Sequence, residues 1–252
     1  MFNPLDLTGR SILVTGASSG IGRATCVLLS RLGARLVLVA RSQQNLEETR
    51  CLLDGDGHIV ETCDLRETDA IPGWLKQLGS ERGPLDGLVH SAGVHTTMPL
   101  QFMSGEQLND VMRINFTAAM QLAKGFRQRK VHAPTSSVVF VASVMGLVGQ
   151  AGVSAYVASK GALIAVARSL SLELAGDRIR VNCVAPGQVE SKMAASQEAA
   201  LTDEQRAAIA AMHPLGIGQP EDVANSIAFL LADTGRWITG TTLVVDGGYT
   251  AH

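Results

Sequence analysis

Ser11-Ile12-Leu13-Val14-Thr15-Gly16-Ala17-Ser18-Ser19-Gly20-Ile21-Gly22-Arg23 decides the fold of this chain. Its first five residues are a short apolar, β-branched run of the kind that fills a strand buried on both faces. Three glycines follow, and from Ile21 onward Ile21, Ala24, Leu28 and Leu32 recur at helical spacing. A strand, a glycine-rich turn and a helix N-terminus in that order form an anion cradle. Gly16 permits the tight turn, Gly20 lets backbone approach a ligand, and Gly22 lets the helix pack close to the sheet. Free N–H groups and the helix dipole then favour a pyrophosphate. The spacing, G-x-x-x-G-x-G, differs from the commoner G-x-G-x-x-G, so the context carries the reading rather than the fingerprint.

The same alternation continues to the end of the chain. Short apolar runs at 11–15, 35–40, 58–64, 85–90, 137–143, 179–184 and 241–245 read as strands. More polar periodic segments at 21–32, 43–53, 70–78, 106–129, 155–175 and 221–232 lie between them. Strand and helix in turn predict an α/β fold: a Rossmann-type, doubly wound, mostly parallel seven-stranded sheet with helices on both faces. With no internal repeat and no Pro/Ser-rich linker, residues 1–252 read as a single domain. One long irregular piece, 188–213, follows Pro186-Gly187 and has a helical centre around 198–211. A loop that long in a compact domain is usually functional, so it reads as a substrate lid, with Met193 and Met212 as adaptable apolar contacts.

A net charge of -2 and scattered basic residues argue against a nucleic-acid partner. The cluster Lys124, Arg127, Arg129 and Lys130 near a helix C-terminus reads as a solvated face, with an acidic carrier protein as the alternative partner. No basic-then-apolar leader and no run of spanning length is seen, so neither secretion nor membrane insertion is expected. Cys26, Cys51, Cys63 and Cys183 have no metal-ligand or C-x-x-C spacing and read as reduced, buried thiols of a cytoplasmic protein. The histidines lack ligand partners at metal spacing, so no catalytic metal is expected, and His90 reads as a hydrogen-bonded core histidine. Trp74 and Trp237 read as packing residues.

Chemistry concentrates between Ser143 and Lys160. Ser143 closes the fifth strand; past a glycine-rich loop, Tyr156 and Lys160 stand four apart on a helix and therefore on one face. An ammonium beside a phenol favours phenolate, so such a Tyr can donate and accept protons near neutral pH. Arg41 ends the second strand, where an NAD site usually places an acid for the ribose 2′-hydroxyl, and no acid lies within 36–46. A cation there, with the Ser42 hydroxyl, suits a 2′-phosphate, which favours NADP(H) over NAD(H). Asp64, closing the third strand, is placed to accept from an adenine amino group, and Gly93 lets backbone pass close to the cofactor.

Thr15-Gly16-x-x-x-Gly20-x-Gly22, Asp64, Ala92-Gly93, Asn115, Ser143, Tyr156-x-x-x-Lys160 and Pro186-Gly187, in this order across essentially the whole chain, resemble the short-chain dehydrogenase/reductases. The runs from Arg178 to Gly187 and from Gln219 to Ala224, and Ile238-Thr239-Gly240 before Val245-Asp246-Gly247-Gly248, look most like the 3-oxoacyl-acyl-carrier-protein reductase subgroup. The resemblance implies four catalytic residues. Tyr156 is the general acid for reduction and base for oxidation, and Ser143 hydrogen-bonds the substrate oxygen. Lys160 lowers the Tyr156 pKa and binds the nicotinamide ribose, and Asn115 holds a relay water. It also implies cofactor contacts from Gly16, Ser18, Ser19, Gly20, Ile21, Gly22, Arg41, Ser42, Asp64, Leu65, Ser91, Ala92, Gly93, Tyr156, Lys160, Pro186, Gly187, Val189 and Ser191. Two positions depart from the family's pattern: it usually has Asn-Asn-Ala-Gly where this chain has His90-Ser91-Ala92-Gly93, and Thr is common at Ser191.

Segment 155–175 is small or apolar nearly all round and so must be buried on more than one face. This predicts a homodimer or homotetramer built through 155–175 and 106–129. The expected function is NADP-dependent interconversion of a ketone and a secondary alcohol. A 3-oxoacyl thioester of acyl carrier protein or CoA, or a similar carbonyl, would lie between 94–100, 145–152 and the lid. Two alternatives compete. A non-catalytic dinucleotide-binding regulator or scaffold would need neither acid nor relay. A nucleotide-sugar epimerase or dehydratase shares Tyr-x-x-x-Lys but normally carries a larger C-terminal substrate region.

Overall fold

The computed structural model describes residues 3–191 and 202–251. Strands β1 (Ser11–Thr15), β2 (Arg35–Ala40) and β4 (Leu85–His90) occupy their predicted ranges, whereas β3 (Ile59–Thr62) and β7 (Thr242–Val245) are shorter and β6 (Ile179–Pro186) runs further. β5 (His132–Val141) begins well before its apolar run. Its start contains Pro134 and polar residues, and its pairing with β4 shifts between Leu85 and Gly87, so β-propensity does not reveal it. Every pairing is parallel, in the order β3-β2-β1-β4-β5-β6-β7, making the sheet wholly rather than mostly parallel. The order reverses between β1 and β4, which opens a crevice at the carboxyl ends of the strands.

Successive strand residues feed two separate cores. Val14, Leu38, Val89, Val139 and Val184 pack beneath α1 (Gly20–Arg31), α2 (Gln43–Arg50) and α8 (Pro220–Leu231). Leu13, Val37, Leu88, Val138 and Val181 pack beneath α3 (Ile71–Arg82), α5 (Ala118–Phe126) and α6 (Ser154–Glu173). Burial on both faces is why these strands read as continuous apolar runs.

Segment 106–129 is not one helix. α4 (Gly105–Met112), closed by a reciprocal Ser104–Gln107 capping box, runs into a π-turn at Arg113–Thr117 before α5 begins. The wide turn carries Asn115 into the interior, where it is fully buried. In the predicted lid, α7 spans Asp203–Ala211 behind a Thr202–Gln205 capping box. The earlier part of that predicted helix, with Met193, lies outside the described residues.

Some packing expectations need correcting. Trp74 packs against the core, but Trp237 is 95% exposed. Cys26 and Cys183 are buried, Cys63 is half-buried and Cys51 is exposed, because α2 ends at Arg50 and its last turn carries Cys51 outward. On α6, Ala158, Ala165 and Leu172 form an outer face that the chain itself leaves uncovered. No helix among the described residues is long and apolar enough to cross a membrane.

Candidate active site

The carboxyl ends of the central strands open into one cavity of about 1360 Å³. Gly16, Ser18, Ser19, Gly20, Ile21, Gly22, Arg41, Ser42, Asp64, Leu65, Ser91, Ala92, Gly93, Pro186, Gly187, Val189 and Ser191 all line it, together with Ser143, Tyr156 and Lys160. Asn115 stands behind the wall.

Two glycines of the turn, Gly16 and Gly22, have no room for a side chain. Gly16 has φ +70°, and a Cβ there would sit 2.8 Å from the Ala92 nitrogen; a Cβ on Gly22 would sit 2.2 Å from the Gly16 carbonyl oxygen. Helix α1 therefore starts directly on the turn. Ser19 at its N-cap makes no side-chain capping bond and its first turn holds no acid, which suits an anionic ligand at those N–H groups. Bracing from behind the turn went unseen in the sequence. The Arg23 guanidinium donates to the Ser18 carbonyl at 2.8 Å and to Thr49 Oγ1 at 2.9 Å, while Thr49 Oγ1 donates to the Ala17 carbonyl at 2.9 Å.

At the rim, Arg41 is exposed and makes no ion pair with any described residue. Ser42 Oγ accepts the Asn45 N–H at 3.3 Å and so caps α2, leaving its own proton to donate. Asp64 is exposed and accepts the Arg66 N–H at 3.0 Å, while the Arg66 guanidinium reaches Asp110 at 3.2 Å. Between β1 and β4, Thr15 Oγ1 accepts the Ala92 N–H at 3.2 Å and lies 3.0 Å from His90 Nδ1, as expected for a hydrogen-bonded core histidine. Burial, helped by the Lys160 charge, pushes His90 down to about 3.

The chemical end of the cavity joins β5 to α6. Ser143 follows β5, and its hydroxyl accepts the Met145 N–H at 3.2 Å. The turn after it lies directly on the helix: a Cβ on Gly146 would sit 2.8 Å from the Lys160 carbonyl carbon. The same turn sets the Ser143 hydroxyl in the cavity wall with the Tyr156 phenol, near enough to oppose a rise in its pKa. One turn on, Lys160 is 5% exposed, donates from Nζ to the Val141 carbonyl at 2.8 Å, and lies 5.6 Å from the centre of the Tyr156 ring. Burial governs both groups. It pushes the phenol up, with the Ser143 hydrogen bond opposing, and it lowers the Lys160 ammonium to about 8. In the protein alone, burial thus outweighs the Ser143 contribution and the phenol lies above its ordinary value.

The Asn115 amide makes three hydrogen bonds. Its Oδ1 accepts the Val94 N–H at 2.8 Å, and its Nδ2 donates to the Val94 carbonyl and to Ser159 Oγ, each at 2.9 Å. Ser159 Oγ in turn donates to the Tyr156 carbonyl at 2.8 Å. Two histidines in the cavity wall carried no signal in the sequence, since a lone His in a loop has no diagnostic spacing. The His95 ring packs 4.5 Å from that of Tyr156, tilted by 58°. His213 stacks on Tyr249 at 4.8 Å and accepts the Gln188 N–H at 3.1 Å.

A family model described as enoyl-(acyl carrier protein) reductase matches residues 16–250. The chain is 34% identical over 247 residues to the 3-oxoacyl-(acyl-carrier-protein) reductase FabG of Escherichia coli K12, covering 97% of this chain and 98% of that one. It superposes with TM-score 0.90 and 32% identity on a structure from Beutenbergia cavernae assigned as an NAD(P)-dependent gluconate 5-dehydrogenase, which has NADP bound at low occupancy; coverage is 99% of this chain and 100% of that one. A short-chain type dehydrogenase/reductase from Mycobacterium marinum gives TM-score 0.89 at 27% identity, covering 99% and 98%. A nicotinamide dinucleotide fits the tight glycine turn and the uncapped helix end found here. The chain belongs to the short-chain dehydrogenase/reductase family and is an NAD(P)-dependent oxidoreductase of the CH–OH/C=O pair.

Proposed function

We propose that this enzyme uses NADPH to reduce a ketone to a secondary alcohol, that Tyr156 donates the proton, and that the substrate is a 3-oxoacyl thioester or a similar carbonyl. The carrying observation is the Ser143–Tyr156 hydroxyl pair in the cavity wall, with Lys160 buried one helical turn away. Bound in this crevice, a reduced nicotinamide supplies the hydride. As the carbonyl oxygen gains negative charge, two hydroxyls aimed at it stabilise that charge. Tyr156 then gives up its phenolic proton, and an acid so placed adds ~10²–10⁴ in rate. A phenol kept protonated by burial is ready for reduction. Lys160 would hold the ribose hydroxyls of the dinucleotide, and its positive charge favours the phenolate that the reverse oxidation needs. Asn115, held in place by Val94 and Ser159, would hold a water that links Lys160 to solvent as a proton relay.

Arg41 at the rim supports the 2′-phosphate of NADP, and the Beutenbergia cavernae structure contains that dinucleotide. FabG's name points to acyl-carrier-protein thioesters. Of the basic residues that would meet such a carrier, Arg127 already pairs with Asp177 at 2.8 Å and Glu173 at 3.4 Å. The free thiols support a cytoplasmic enzyme. The uncovered outer face of α6 supports a homodimer or homotetramer; native mass spectrometry should show one, and monomer alone at micromolar protein would remove that assignment. The function is tested with a panel of ketones and 3-oxoacyl thioesters, reading NADPH consumption. Tyr156→Phe should lose nearly all turnover yet keep its thermal shift with NADPH, and retained turnover would refute the acid role.

A further inference from the structure

His95 lines the same cavity, and the chemistry above makes no use of it. Its place in the chain is well fixed. Val94, just before it, is held at both its N–H and its carbonyl by the Asn115 amide, so the loop delivers residue 95 to a defined position. The half-buried imidazole packs against the Tyr156 ring, and neither of its nitrogens has a hydrogen-bond partner among the described residues. Burial and the nearby Lys160 charge lower its pKa, so near neutral pH the ring is uncharged and offers one N–H donor and one acceptor. The side chains of Met145 and Val153 in the same wall offer no donor.

We propose that His95 determines specificity: it hydrogen-bonds a second oxygen, a hydroxyl or carbonyl one or two carbons from the reacting carbon, and so selects oxygen-bearing ketones over plain alkyl ketones. This rests on the reading that Tyr156 meets the reacting oxygen. With that oxygen on the phenol, a neighbouring oxygen lies within reach of the ring packed against it. A pocket that offers a polar group discriminates against an analogue lacking its partner, because the polar group is then left unmatched.

The test compares wild type, His95→Phe and His95→Asn on 1-hydroxybutan-2-one, ethyl 3-oxobutanoate and butan-2-one with NADPH. Wild type should favour the two oxygen-bearing ketones. His95→Phe keeps a ring against Tyr156 and should lower kcat/KM on those two by ~10-fold, the size of one neutral hydrogen bond, chiefly through KM. It should leave the NADPH thermal shift unchanged and should not lower butan-2-one, on which loss of an unmatched polar group is neutral or favourable. His95→Asn, which keeps a donor and an acceptor, should recover part of the loss. An equal loss on all three ketones would make His95 a mere wall for Tyr156. No loss from His95→Phe, or no preference in wild type, would also overturn the proposal. A wild type inert on every carbonyl and alcohol tried would instead strike the carbonyl-reductase reading itself, and this inference with it.

Discussion

Replacing Lys160 with Met should abolish turnover while making the fold less costly to hold together near neutral pH, and that advantage should fade in alkali. Lys160 is 5% exposed, and burial lowers its ammonium from the ordinary 10.5 to about 8. That displacement is worth roughly 3 kcal/mol against the charged form in the folded state. The folded pKa lies below the unfolded one, so between about 8 and 10.5 the unfolded chain binds more protons and wild-type stability rises with pH. Below about 8 both states carry the charge and the penalty is full. Met removes the charge at similar length but takes the donor from the Val141 carbonyl, a loss of about 1–3 kcal/mol. The net gain near neutral pH is therefore small, whereas the pH dependence is large. Urea unfolding of both proteins at equal concentration, from about pH 7 to about pH 10.5, gives the gap in unfolding free energy. Relative to wild type, the variant should lose ~3 kcal/mol of that gap across the range, with other alkaline titrations cancelling between the two proteins. A gap that stays constant would refute the buried-ammonium argument.

Two other perturbations follow from the same geometry. His90 is held neutral well below its ordinary 6.5, so wild type should lose stability as pH falls from there toward about 3, and His90→Asn should flatten that acid limb in urea unfolding; an unchanged slope would clear His90 of the effect. Thermal shift should favour NADPH over NADH in wild type, and Arg41→Asp should weaken NADPH by ~10-fold or more, the size of a charge-assisted hydrogen bond; a preference untouched by the substitution would place the 2′-phosphate elsewhere.

The sheet could be read from sequence because burial on both faces writes each central strand as an apolar run, and glycines with no room for a Cβ are hard to replace. The start of β5 could not, since Pro134 and its polar neighbours are passed over by an irregular register between His132 and Ser137. Nor could the π-turn at Arg113–Thr117, because a one-residue widening leaves the apolar pattern of 106–129 looking like continuous helix. Tyr156 and Lys160 stand out by their spacing on one helix, and Ser143 by its place at a strand end and by the family resemblance. The Arg23–Thr49 brace and the His95–Tyr156 contact join elements distant in sequence, and only tertiary packing reveals them. Trp237 was misplaced for a related reason: hydrophobicity says that a side chain prefers cover, not that its own chain supplies it.

The Asn115 clamp on Val94 has a bearing on how such an enzyme can change over evolutionary time. Holding Val94 by both its N–H and its carbonyl, as a neighbouring strand would, it ties the end of the dinucleotide crevice to Ser159 on the helix of Tyr156 and Lys160. The clamp keeps the crevice and the helix of Tyr156 and Lys160 fixed to each other, whereas the loop that starts at His95 takes no part in that tie, so a substitution there bears first on what the reaction is offered. The clamp thus divides inherited chemistry from adjustable taste, and lets a lineage exchange substrates without rebuilding its catalyst.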